Sequence, residues 1–339
     1  MSAPPRNGRL ALAAVGIALL SALFFTMTYV LNRASASEGG HWAWMASLRY
    51  LITLPLLLPL MRFQGGARPV LRAIAAHPWA WLRCAGIGFV LFYCMLSYAA
   101  ASGPSWLVAG SFQFTVIAGM LCAPLLYRDA RRRVPPAGLA VAATILAGVL
   151  LMQFGHAQAQ QAGGGLGRAG WIALGCVLVA AVSYPLGNRL LLLHLERSGE
   201  PLNATQRVFG LTLASQPLWL LVALYAGATA GAPAMAHVWL AAGVALFAGV
   251  IATILFFQAT GMVRDQPLAL GAAEAMQGAE VVFAVALGVL LLGEAWPTGR
   301  ALAGAGVVIA GIVAFAWVVA RPAAGSETKT RALRTDKGA

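Results

Sequence analysis

The sequence predicts an all-α polytopic membrane protein, with ten transmembrane helices arranged as two inverted five-helix repeats. Three observations carry that prediction: the composition, a series of apolar runs of spanning length, and a second half that echoes the first. Of 339 residues, 60% are hydrophobic and 10% charged, with a mean hydropathy of +0.79. A soluble chain carries about a quarter charged residues, so a soluble globular protein is excluded, as are disorder, collagen and coiled coil.

A spanning helix needs about 20 mainly apolar residues. Ten windows qualify: Leu10 to Leu31, Trp42 to Met61, Cys84 to Ala101, Ser105 to Tyr127 and Val134 to Phe154 in the first half. Trp171 to Leu193, Thr205 to Ala226, Trp239 to Met262, Leu268 to Gly293 and Ala301 to Val319 follow in the second. The first run is too long for a signal-peptide core and is interrupted by Asn32-Arg33 before the small residues Ala34 to Ser37, so it reads as a retained helix.

The net charge of +13 would raise nucleic-acid binding in a soluble protein, but the loops absorb it. With the N-terminus inside, 19 of the 23 Lys and Arg residues fall on the cytoplasmic side, while Arg33, Arg168 and Arg300 face outward and Arg49 lies within the second helix. That asymmetry is the positive-inside signature. It predicts cytoplasmic N- and C-termini in a cell inner membrane and argues against a nucleic-acid partner. The expected organisation is a cytoplasmic N-terminus over 1–9 and a first repeat over 10–154. An external linker rich in Gln, Ala and Gly over 155–168, a second repeat over 169–320 and a polar, disordered tail over 321–339 complete it.

The repeat is read from matches that keep their order. Asn32-Arg33 pairs with Asn188-Arg189, Ser47-Leu-Arg49 with Thr205-Gln-Arg207, and His77-Pro-Trp79 with His237-Val-Trp239. Leu91-Phe-Tyr93 pairs with Leu255-Phe-Phe257, Pro104 with Pro267, and Leu139-Ala140 with Leu302-Ala303, all at offsets of 156 to 164. Five helices per copy is an odd number, so the second copy enters the bilayer from the opposite side. Inverted repeats are the architecture of secondary transporters, because two nearly equivalent packings supply outward and inward states.

These halves, the run Leu292-Gly-Glu294 and the Gly-rich fifth and tenth helices resemble the drug/metabolite transporter superfamily. More narrowly, Leu31-Asn-Arg33, Ala46-Ser-Leu-Arg49 and Gly103 to Gly110 with Gln113 resemble its ten-helix multidrug resistance efflux (EamA-like) branch, over residues 9 to 320. The resemblance implies export of small molecules, driven by ion exchange. It carries over incompletely: the small four-helix exporters of the superfamily use a glutamate in their first helix, and neither Leu10 to Leu31 nor Trp171 to Leu193 contains an acid.

Ionisable groups inside a span are costly and are therefore functional candidates. In the ninth helix Glu274, Gln277 and Glu280 recur every three residues and share one broad face. Glu280 lies near the midplane, where a carboxylate can hold either a proton or a cationic substrate. The alternative for either glutamate is pairing with a membrane arginine to fix helix packing. The fourth helix, the repeat partner, offers Ser111, Gln113 and Thr115 with Trp106, Phe112 and Phe114, as cavity wall or as packing. Arg49 and Arg207, at equivalent positions, read first as cations snorkelling to the interface; pairing with a glutamate or contacting an anionic substrate is the alternative. Asn32-Arg33 and Asn188-Arg189 read as helix-end anchors, and Glu294 as a cap or surface pair. Tyr29 and Tyr184-Pro185 line the pathway or pack, and Pro185 is placed to kink its helix.

Cys84, Cys94, Cys122 and Cys176 lie inside apolar runs without metal-ligand spacing, so neither disulfides nor a metal site is expected. No GxxxxGKS, HExxH or GxSxG motif is present, which points away from an enzyme or an ATP-driven pump and implies no cofactor. Small residues Ala301, Gly304, Ala305 and Gly311 suit close packing, within the fold or between the protomers of a homodimer. The expected function is an inner-membrane secondary transporter that exports small amphipathic compounds or metabolites by alternating access, against protons. The alternatives are an uncoupled or anion/neutral-metabolite exporter using Arg49 and Arg207, and a membrane scaffold.

Overall fold

A computed structural model describes residues 6–128, 136–159, 167–263, 273 and 276–320. Among these every regular element is a helix. That follows from the composition: in hydrocarbon each backbone N–H and C=O must be satisfied within its own segment, which a helix does.

Seven helices are long and apolar enough to cross a membrane: α1 (Arg6–Ser37), α2 (Trp42–Met61), α3 (Pro78–Ala99), and, after α4, α5 (Pro136–Ala159), α6 (Arg168–Ser198), α7 (Ala204–Ala230) and α8 (Met235–Met262). Three more apolar helices complete the set, namely α4 (Ser105–Gly119), α9 (Met276–Leu292) and α10 (Gly299–Ala320). A short helix, Arg68–Ala76, buries Val70 and Ala73 and turns Arg68 and Arg72 outward. Large apolar side chains stand exposed on the outer surface, among them Leu58, Leu221, Leu224 and Leu290. Such a surface suits lipid and not water. The chain is a multi-pass membrane protein.

Local signals set several ends. Asn203 caps α7 in a capping box, accepting from Gln206 N at 2.9 Å while the Gln206 side chain accepts from Asn203 N at 3.0 Å. Gly293 ends α9 in the left-handed region (φ 63°), where a side chain is strained. Other bounds depart from the hydropathy reading. α3 starts at Pro78 and not near Cys84, because Pro at the first helical position needs no N–H partner. α5 continues to Ala159 and α6 begins at Arg168, so helix extends into the stretch read as linker. α6 runs on through Pro185 to Ser198.

Several helix contacts recur when helix n is exchanged for helix n+5. α1 packs on α8 and α6 on α3; α1 packs on α9 and α6 on α4; α2 packs on α8 and α7 on α3. Three contacts join a helix to its own counterpart: α2 with α7, α4 with α9 and α5 with α10. The α2–α7 contact is centred on Tyr50 and Trp219, whose rings stack at 4.6 Å. The α5–α10 contact is backbone against backbone: a Cβ added at Gly304 would sit 2.5 Å from Met152 N and 2.7 Å from the Gly148 oxygen. The small residues of α10 therefore serve packing within the fold. α3 and α8 each contain a π-helical stretch, Gly86–Leu91 and Ala245–Ala252, whose starts are 159 residues apart. Such stretches widen a helix locally and occur at functional sites.

Candidate functional site

The helices enclose a cavity of about 590 Å³, lined from α1, α2, α3, α4, α6, α7, α8, α9 and α10, so both halves of the chain contribute. Its position follows from two interruptions. α4 breaks at Gln113-Phe114 between Ser105–Phe112 and Thr115–Leu121, and α9 opens with a tight 3-10 turn, Met276–Gly278, before Ala279–Leu292. Non-helical backbone at membrane depth is tolerated where protein or a cavity surrounds it.

Glu280 lies in the first turn after that break and is 6% exposed. The Tyr29 hydroxyl on α1 donates to its Oε2 at 2.9 Å, and the Gln113 side chain also meets the carboxyl. Gln113 Oε1 and Gln277 Nε2 are buried with no partner, leaving one acceptor and one donor unused on residues that line the cavity. Phe112 packs between Tyr29 and Phe92, with centroids at 6.3 and 5.5 Å, and Phe92 meets Tyr184 at 5.0 Å. Tyr184, Pro185 and Gln277 all line the same space.

Arg49 lines this cavity too and is 8% exposed. Its guanidinium carbon lies 3.9 Å from the Tyr93 ring centroid and 5.0 Å from that of Tyr50. The snorkelling reading is therefore corrected. Seven residues into α2, Arg49 stands about 10 Å along the helix, and two aromatic faces hold the charge inward. Its Nε and Nη1 have no partner, and it forms no ion pair with Glu280. Arg207 behaves differently: it stands in the first turn of α7, donates to the Leu202 carbonyl at 3.3 Å and lies outside the cavity lining.

Two further candidates serve packing instead of the cavity wall. Ser111 accepts from Gln153 Nε2 at 2.9 Å and ties α4 to α5, and Trp106 donates to the Ala295 carbonyl at 3.3 Å. Glu274 lies outside the described residues. Asn32 and Asn188-Arg189 are not helix-end anchors, because α1 and α6 extend beyond them. Asn32 donates to the Tyr93 hydroxyl at 2.6 Å, while Asn188 and Arg189 line the cavity. Their recurrence in both halves was the signal available in the sequence.

A polar layer joins the helices at the end of the bundle where α1 ends. Glu294 accepts from Ser105 N and Ser105 Oγ, both at 2.7 Å, and lies 3.9 Å from Arg33 Nε. Arg33 donates to the Ala101 carbonyl at 3.1 Å, and Trp106 packs edge-on against His156 at 5.7 Å. Glu294 thus caps and pairs, but with its side chain only 7% exposed it does so in the interior and not at the surface. Toward the opposite side the lining reaches Arg189 on α6 and Val208 in the first turn of α7. Among the described residues no three His, Cys, Asp or Glu side chains converge to hold a metal ion.

The profile of the family described as "Putative multidrug resistance efflux transporter" matches residues 12–321. The chain belongs to that family. Uncharacterized protein YjlA of Bacillus subtilis (strain 168) is 39% identical over 309 residues, covering 88% of this chain and 93% of that one. An uncharacterized 42.1 kDa protein of Shouchella clausii, named for its place in an intracellular alkaline protease 3'region, is 35% identical over 257 residues, 74% of this chain and 65% of that one. A solved crystal structure shares the fold at a TM-score of 0.52 and 16% identity, across 91% of this chain and 97% of its own. Membership makes this efflux-family protein a membrane transporter by family.

Proposed function

We propose that the protein exports small amphipathic compounds or metabolites across the inner membrane by alternating access, exchanging protons at Glu280. The observation that carries this reading is a buried carboxyl, hydrogen-bonded by Tyr29, on the wall of a cavity to which both halves contribute. Desolvation makes the charge of an isolated carboxylate costly. A proton or a substrate group that relieves this cost competes for the same site, and such competition is the elementary step of an antiporter.

The recurring helix contacts and the paired breaks in α4 and α9 support the ten-helix inverted repeat, in which rocking of one half against the other exposes the cavity to each side in turn. The Arg33–Glu294–Ser105 layer supports a gate on the α1-end side. Positive charge gathered on the other side supports a cytoplasm-facing opening. Glu274, six residues earlier in the sequence, remains a second proton site in this proposal. The arginine-based alternative narrows to Arg49, since Arg207 does not line the cavity.

The test is proton release from purified protein on addition of a panel of amphipathic cations, anions, zwitterions and metabolites. Release in the wild type that disappears in Glu280→Gln supports the shared site. Ligand binding with the same proton occupancy in both proteins removes proton exchange at Glu280 from the account.

A further inference from the structure

We infer that the cavity takes substrates bearing a carboxylate, and that Arg49 is the group that binds it. The inference rests on the reading of this cavity as the substrate site and deepens it.

A guanidinium removed from water is costly unless an anion and hydrogen-bond acceptors replace the solvent. Arg49 has neither in full. It is 92% buried by its 8% exposure, and the ion pair present among the described residues joins Arg33 to Glu294 on a different layer. The rings of Tyr93 and Tyr50 offer their negative faces and the Tyr93 side chain meets the guanidinium, which offsets charge but does not satisfy all its N–H groups. Nε and Nη1 consequently stand without partners. The planar five-donor fork of arginine matches a carboxylate in bidentate fashion.

The other charges of the cavity favour the same class. Its described lining holds two guanidiniums, Arg49 and Arg189, against the single carboxyl of Glu280, which already receives the Tyr29 hydroxyl. Protonated or not, that carboxyl leaves the described lining net positive, which disfavours a simple amphipathic cation. Phe89, Phe92 and Phe112 line the cavity as well, so a flat apolar body has surfaces to stack on. A monoanion satisfies Arg49 alone; a zwitterion satisfies it and presents an ammonium to Glu280. The shared requirement is the carboxylate.

Binding to purified full-length protein by calorimetry, with indole-3-propionate, tryptophan and tryptamine, varies charge on one ring and chain length; 2-naphthoate supplies a second apolar body. The inference expects one or more of the carboxylates to bind and tryptamine to bind at least about tenfold more weakly. Indole-3-propionate above tryptophan identifies the monoanion, and the reverse order the zwitterion. Arg49→Gln is expected to lose carboxylate binding by about tenfold or more, with Arg49→Lys intermediate because it keeps the charge without the fork. The thermal midpoint of ligand-free Arg49→Gln should not fall, because an unpaired buried charge has been removed. Glu280→Gln should still bind the monoanions, so a failure of proton exchange is separable from a failure of carboxylate recognition. Tryptamine preferred over the carboxylates, no binding of any carboxylate to the wild type, or unchanged affinity in a folded Arg49→Gln overturns the inference.

Discussion

α4 and α9 hold corresponding places in the packing, one against α6 and the other against α1, and both are interrupted at a glutamine. Gln113 and Gln277 stand 164 residues apart, and both line the cavity. Three residues further on the correspondence ends, for α9 bears Glu280 where α4 bears Val116. Each holds a short stretch outside regular α-helix beside the cavity. A shared interruption can therefore build both walls of one route, while the titratable chemistry sits on only one of them. Near-symmetry of backbone is compatible with complete asymmetry of charge.

The sharpest way to break that comparison is to erase the asymmetry. Glu280→Gln is expected to reduce proton-driven transport by at least about 100-fold, measured as flux into proteoliposomes under an imposed pH gradient. Adding Val116→Glu should leave it lost, since the hydroxyl that holds the carboxyl belongs to Tyr29 on the other wall. Tyr29→Phe removes one hydrogen bond to that carboxyl, and transport under the same gradient should fall by about tenfold.

The shared backbone is tested where α5 meets α10. Gly304→Leu drives a side chain into Met152 and Gly148 across α5 and should cost about 1–3 kcal/mol, seen as a lowered unfolding midpoint with unchanged composition of the cavity wall. The smallest effect belongs to Arg207→Gln. Its side chain serves a loop carbonyl, so stability should stay within about 0.5 kcal/mol and ligand affinity should not move.

Much of this site was legible because intramembrane polar residues are rare and costly. Glu280, Gln277, Gln113, Tyr29 and Tyr184 do line one cavity. What hydropathy windows miss is the true length of a helix and its rotation. The sixth window ended at Leu193, which made Asn188-Arg189 look terminal; α6 runs to Ser198 and carries both inside. Ser111 lies two residues before Gln113, about 200° around the helix, and so faces α5 instead of the cavity. Trp106 is about two turns before Gln113 and bonds the Ala295 carbonyl beside Glu294. The inward course of Arg49 depends on Tyr93 from α3, a cross-helix contact that no local pattern encodes.

The central claim is that Glu280 couples movement through this cavity to protons. Proteoliposomes loaded with a bound ligand separate coupling from passage when counterflow at equal pH is compared with net flux under a pH gradient, in wild type and Glu280→Gln. The account predicts that the variant keeps counterflow and loses gradient-driven flux. Gradient-driven flux that survives at the wild-type rate in Glu280→Gln would contradict it.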